Sequence, residues 1–122
     1  QIYLLAPTTS PARTAALLER AGGFVYYVSV RGVTGAARVD LGEVRARVQA
    51  ARARTDLPIG VGFGVRDAAG TAAIAGFADA VIVGSALIEA MERAVNAGTD
   101  PIAAAAALTA ELAGAVHGAP RA

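Results

Sequence analysis

The sequence predicts an α/β fold made of four strand-loop-helix units with parallel strands. Short runs of apolar, β-branched or aromatic residues recur about every 25 to 30 residues, each followed by a stretch of helix formers, and that repeat implies right-handed crossovers between parallel strands. The runs VYYVSV and AVIVG show no alternation of polar and apolar residues, which fits burial on both faces, either in a doubly wound sheet or in the wall of a barrel. The 14 glycines gather after these runs, where backbone in a strand-helix protein must come close to a ligand.

Ile2 to Ala6 reads as the first strand, closed by Pro7. Thr8, Thr9 and Ser10 offer helix N-caps ahead of Pro11, whose missing N–H costs nothing in a first turn. The helix that follows, with Ala15, Leu17, Leu18 and Ala21, is predicted to end at Gly22-Gly23. Phe24 to Val30 is the second strand, followed by the loop RGVTGAARVD. Asp40 is expected to cap a helix running to about Arg54, with Leu41, Val44, Val48 and Ala51 inward and Arg45, Arg47 and Arg52 outward. Leu57 to Phe63 is the third strand, and Gly64 turns the chain toward Asp67, a cap for an Ala-rich helix to about Gly76. Ala80 to Val83 is the fourth strand, closed by Gly84-Ser85. Helix formers continue through Ala94, Asn96-Ala97-Gly98 interrupts them, and Asp100-Pro101 starts a last helix whose tail is expected to fray after about Val116.

Composition narrows the function classes. Hydrophobic residues make up 55% and charged residues 17%, with a mean hydropathy of +0.49, so a large apolar surface must be buried. No stretch reaches the roughly 18 consecutive strongly apolar residues of a membrane span, so a transmembrane reading fails. A net charge of +1, with 11 basic residues interleaved with acids along the helices, argues against a nucleic-acid partner. Without cysteine there is no thiolate metal site or disulfide, and an intracellular, cytoplasmic enzyme is the simplest expectation. One His and scattered carboxylates lead to the expectation of no metal, and no organic cofactor is implied. The chain reads as one partial domain over residues 1–122, well short of the roughly 250 residues of an eight-unit barrel and starting in mid-fold.

Three glycine-bearing loops sit at the carboxyl ends of strands: Gly32-Val33-Thr34-Gly35, Gly62-Phe63-Gly64 and Gly84-Ser85. Parallel topology sets these ends side by side, so backbone amides without Cβ obstruction could converge on one anion, aided by the helix that starts at Ser85. A phosphate fits that description, whereas each loop alone is readable as a tight turn. A dinucleotide site is disfavoured, because the nearest string to GxGxxG, Gly60 to Gly64, has the wrong spacing and lies within a strand.

In order, LLAPTTS, FVYYVSVRGVTGA, DLPIGVGFGV and DAVIVGSALI resemble the second half of the tryptophan synthase alpha subunit family, over about Ile2 to Glu89. The resemblance implies the C-terminal half of a TIM (β/α)8 barrel, corresponding to strands 5 to 8 of the parent. It also implies an enzyme, a lyase of tryptophan biosynthesis that cleaves indole-3-glycerol phosphate by a retro-aldol reaction to indole and glyceraldehyde 3-phosphate. A beta subunit receives the indole. Among catalytic residues it implies Tyr26, beside the catalytic carboxylate and the substrate, and Thr34, in the mobile loop that closes the site. It assigns Gly35, Phe63, Gly64, Gly84 and Ser85 to the substrate phosphate and Ile82 to the substrate pocket. Arg31 stands where the family often has a smaller residue, which alters the charge of the closing loop.

Retro-aldol cleavage of this substrate needs one group to protonate the indole ring and another to take a hydroxyl proton, and shielded carboxylates suit both tasks. In the family both come from the first half. The ten acids of this chain fall mostly at helix starts or on helix faces, and His117 lies in the expected frayed tail. The alternatives are a catalytically inactive phosphate-binding half-barrel module, pairing with the missing half or a second copy to cover open strand edges, or another phosphate-binding barrel enzyme.

Overall fold

The computed structural model describes residues 1–29, 40–62 and 64–120. Its elements run in the order β1 (Tyr3–Leu5), α1 (Pro11–Leu18), β2 (Val25–Val28), α2 (Leu41–Arg52), β3 (Ile59–Gly62), α3 (Ala68–Ala75), β4 (Ala80–Ile82), α4 (Ser85–Asn96) and α5 (Pro101–Gly118). The four strands form one parallel sheet, as the sequence repeat implies, and their chain order, β1-β2-β3-β4, is one that the repeat alone left open. In register, Leu4 pairs with Tyr26, Tyr26 with Gly60 and Gly60 with Ala80.

The chain divides into two compact units. The first comprises Gln1–Phe63 with Phe77–Ile82 and holds the sheet, α1 and α2. Side chains alternate across a strand, so Leu5, Val25, Tyr27, Ile59 and Val61 share the face that meets the helices, and all five are buried. Val44, Val48 and Ala51 are the buried stripe of α2, spaced at four and three residues as the periodicity predicts. Leu41, expected on that stripe, is 36% exposed, because it opens the helix before the core-facing turns begin. The outward arginines of α2 are exposed but not idle. Arg45 lies over the Phe77 ring at 5.4 Å, and Arg52 reaches the Asp79 carboxylate at 2.8 Å. The same Asp79 oxygen accepts the Ile59 N–H at 2.9 Å, while the Asp79 N–H donates to the Ile59 carbonyl at 2.9 Å. One acidic side chain thus joins the amino ends of β3 and β4 to the last turn of α2, and deleting it would strand the Ile59 donor at a cost of about 1 to 3 kcal/mol.

The second unit comprises Gly64–Gly76 with Val83–Ala122 and holds α3, α4 and α5. Here α5 packs against both α3 and α4, with Ile74, Ala86, Ala90, Ala94 and Leu112 buried. Small residues at 86, 90 and 94 recur every four positions, so the facing helix can come close. Gly98, in the left-handed region at φ +68°, ends α4 by donating to the Val95 carbonyl.

Most differences from the sequence reading are of length. Strands β1 to β3 are shorter than predicted by one or two residues at each end, and β4 starts at Ala80 as predicted but ends one residue early, because register fixes only the residues that find a partner. The first helix stops at Leu18, well before Gly22-Gly23. The expected fraying after Val116 does not occur: α5 continues through Gly118, and exposed His117 occupies its last turn, where a side chain that can carry positive charge suits the helix dipole.

Burial raises the Tyr27 hydroxyl above the ordinary tyrosine value; the Arg47 charge opposes that rise and Glu43 adds to it. A raised pKa in the folded state means that the neutral phenol is favoured there. Its contribution to stability is complete below about pH 10, where a tyrosine of the unfolded chain ionises, and is lost as pH rises through the higher folded value. Tyr27→Phe is therefore expected to flatten the fall in urea midpoint between about pH 9 and 11. An unchanged alkaline slope in the variant would contradict this assignment.

Candidate functional site

The residues expected to bind a ligand fall on turns after strands and at helix starts, and the capping pattern is the first clue. Ser10 Oγ accepts the Arg13 N–H at the start of α1. Asp40 accepts from Gly42 and Glu43 at α2, Asp67 from Gly70 at α3, and Asp100 from Ile102 at α5. Each cap satisfies amides that the first helical turn leaves without partners. Helix α4 differs. Its N-cap is Gly84, which has no side chain to give, and among the described residues its start has no side-chain cap hydrogen bond. A Cβ built at Gly84 or at Gly64 would meet nothing within 4 Å, and both glycines are exposed. Both belong to the second unit. An open, uncapped helix start of this kind attracts an anion, because unpaired N–H groups and the helix dipole act together.

The glycines of β3 have a different reason. In the first unit, the side of Gly62 that would carry a Cβ is occupied by the Tyr26 ring and hydroxyl, so the phenol lies directly over the glycine. Gly60 is likewise covered, by Ile82 Cδ1 at 3.1 Å and the Phe24 ring at 3.5 Å from the Cβ position. The expectation that Gly62 opens backbone toward an anion is thus corrected: its missing side chain makes room for Tyr26, a diagonal neighbour across the β2-β3 ladder. Tyr26 and Tyr27, adjacent in sequence, divide the labour. Tyr27 is buried on the helix side, while half-buried Tyr26 lies on the opposite face with Ile82.

Of the residues expected in the site, Tyr26 and Ile82 therefore share one sheet face, and Gly64, Gly84 and Ser85 lie in the second unit. Thr34, Gly35, Phe63 and Arg31 lie outside the described residues. Sequence reasoning missed Asp79 and Arg66. Asp79 works at the amino ends of the strands, away from the glycine turns. Arg66 makes a 3.2 Å ion pair with Glu89 of α4, within the second unit. No spacing rule announces either pair, since the partners are 27 and 23 residues apart. A cleft of about 130 Å³ on the helix side, lined by Leu5, Thr14, Tyr27, Arg47 and Arg54 among others, contains none of the expected site residues.

A family profile described as the tryptophan synthase alpha chain matches residues 1–117. The chain belongs to the tryptophan synthase alpha chain family. It is 58% identical over 87 residues to the alpha chain of Alkalilimnicola ehrlichii, covering 71% of this chain and 32% of that one. Against the alpha chain of Burkholderia mallei it is 48% identical over 123 residues, covering 98% of this chain and 44% of the relative. Among solved structures, tryptophan synthase subunit alpha from Legionella pneumophila superposes with a TM-score of 0.80 at 38% identity, over 95% of this chain and 42% of that one. Tryptophan synthase from Mycobacterium tuberculosis, in an open form with a compound bound, gives a TM-score of 0.75 at 40% identity, over 94% and 39% of the two chains. The chain spans less than half the length of these relatives. Its four parallel strands with their helices are a part of the family's (β/α)8 barrel, and the choice between doubly wound sheet and barrel wall is thereby made.

The fit of Tyr26 over Gly62 in this tryptophan synthase alpha family member is open to a direct test. Gly62→Ala is expected to overpack the sheet face and lower stability by about 1 to 3 kcal/mol in urea denaturation. Adding Tyr26→Ala should cancel most of the loss introduced by the alanine. Strict additivity of the two substitutions would show that ring and glycine do not depend on each other.

Proposed function

We propose that this chain is part of a tryptophan synthase alpha subunit, a lyase that cleaves indole-3-glycerol phosphate to indole and glyceraldehyde 3-phosphate, and that residues 1–122 form the partial domain supplying its phosphate site. The observation that carries the reading is the exposed start of α4, the one described helix with no side-chain cap, together with the open Gly64. In this reading the Gly64, Gly84 and Ser85 amides and the Ser85 hydroxyl hold the phosphate; Gly35 and Phe63 are assigned to the phosphate by resemblance to the family alone. Tyr26 and Ile82, which share one face of the first unit's sheet, and Thr34 are assigned to the substrate by resemblance to the family alone. A doubly charged phosphate at such a helix start replaces the absent cap and gains from the dipole.

The acid and base of the retro-aldol step are assigned to carboxylates outside these 122 residues. The described acids support that: Asp40, Asp67 and Asp100 are spent on helix caps, and Asp79 and Glu89 pair with arginines. Among the described residues no group of three or more His, Asp or Glu could hold a metal, and no helix is long and apolar enough to cross a membrane. The enzyme is read as cytoplasmic and as handing indole to a beta subunit. Among the described residues the edges of the sheet, at β1 and β4, pair on one side only, and Ile2 and Leu4 are 47% and 58% exposed. Such edges invite a complementing half or a second copy.

Titration calorimetry with glycerol phosphate is expected to give saturable binding to the 122-residue chain, weakened about tenfold by Ser85→Ala through loss of a hydrogen bond to a charged group. No binding by the unaltered chain would sink the phosphate assignment. The same polypeptide is expected to release no indole from indole-3-glycerol phosphate and to sediment as an associated species. Sustained indole release would overturn the division of catalytic labour, and a stable monomer would overturn the expected pairing.

A further inference from the structure

Tyr27 is 3% exposed, yet among the described residues no hydrogen bond reaches its hydroxyl. No described side-chain oxygen is sealed from solvent without a partner, so this hydroxyl is not sealed; it opens into the cleft of about 130 Å³ that Tyr27 helps to line. Around it the cleft presents two kinds of surface. Leu5, which pairs with Tyr27 in the sheet, Pro11 of α1, and Ala50 and Ala51 of α2 give apolar walls. Arg47 of α2 and Arg54, just past the end of that helix, bring two cationic side chains to the lining. Among the described residues neither has an ion pair, whereas Arg52 and Arg66 do. The Arg47 charge opposes the rise in the Tyr27 pKa, so cation and phenol are electrostatic neighbours. All of these residues belong to the first unit.

Size and lining together select a class of ligand. An apolar cavity of about 150 Å³ accommodates benzene, so this cleft has room for a body of about one such ring and none for a nucleotide. A bare inorganic anion would leave the apolar walls uncovered, and a hydrocarbon would leave the phenol and the arginines unanswered. A carboxylate accepts from a phenol and a guanidinium at once, through charge-assisted hydrogen bonds that are short and strong. Glu43, one turn before Arg47, sets one negative charge near the phenol against the two arginines. We propose that the cleft lined by α1 and α2 binds a small monocarboxylate with an apolar body about the size of one ring, its carboxylate held by the Tyr27 hydroxyl and Arg47 and drawn in by Arg54. The site lies on the helix side of the sheet and uses none of the residues assigned to the indole substrate, so it is independent of the phosphate reading.

The test titrates the 122-residue chain with benzoate, and with benzamide as its uncharged counterpart, followed by calorimetry and nitrogen-15 spectra. Benzoate is expected to bind saturably, about tenfold more tightly than benzamide, and to move the Arg47 Nε–H signal. Arg47→Met is expected to raise the benzoate Kd about three- to tenfold, with Arg47→Lys recovering part of the loss, and Tyr27→Phe to raise it about two- to fivefold. Ala50 lines the cleft and is exposed, so Ala50→Leu is expected to fill the space and abolish binding while the urea midpoint stays close to that of the unaltered chain. That variant keeps the proposal open to refutation if Tyr27→Phe does not fold. Equal affinity for benzoate and benzamide would show that the arginines do not read charge, and the proposal would fail. Binding that survives Ala50→Leu would put the ligand elsewhere and overturn it. No saturable binding by the unaltered chain would make the cleft a water-filled gap and overturn it as well, leaving the phosphate reading untouched.

Discussion

The sheet depends on a fit between aromatic rings and missing side chains. In β3 the residues Ile59 and Val61 fill the helix-side layer, while Gly60 and Gly62 leave the other face bare. Tyr26 of β2, Ile82 of β4 and Phe24, just before β2, fold over the bare glycines. Parallel strands must bury both faces, and here one strand does so with its own branched side chains on one face and with its neighbours' side chains on the other. A methyl group at position 62 has no free space, so the composition of β3 is a packing requirement before it is anything chemical.

The two ends of the strands carry different work. At the amino ends, Asp79 bonds to the Ile59 amide and to Arg52, and Arg45 covers Phe77, so charged groups are used up in holding strands to a helix. The turns that follow the carboxyl ends of β3 and β4 in the chain, by contrast, hold glycines with open surroundings and a helix start that no side chain caps. In strand-helix barrels generally, loops at one end can vary without disturbing the packing at the other. The four capped helices gain about 0.5 to 2 kcal/mol each from their Ser or Asp, and α4 goes without.

Much of this was legible in advance. The four βα units, their parallel order, the caps Ser10, Asp40, Asp67 and Asp100, and the buried stripe of α2 follow from periodicity and from hydrogen-bonding side chains at fixed offsets, which are local effects. The family followed from four short strings in order, and the matched residues 1–117 agree with it. Helix ends were less legible. Leu41 is exposed and α5 runs to Gly118 because contacts between elements decide where burial begins and where a helix stops.

The sequence by itself determined that strands and helices alternate, that the strands are parallel, and that glycine turns follow them, since each depends on residues close together along the chain. Only the tertiary structure decided which tyrosine of the Tyr26-Tyr27 pair faces the helices, that Gly62 serves the Tyr26 ring, and that Arg52 and Arg66 find Asp79 and Glu89. Those outcomes join residues 20 or more positions apart, and a pattern read along one strand or helix carries no information about what another brings beside it.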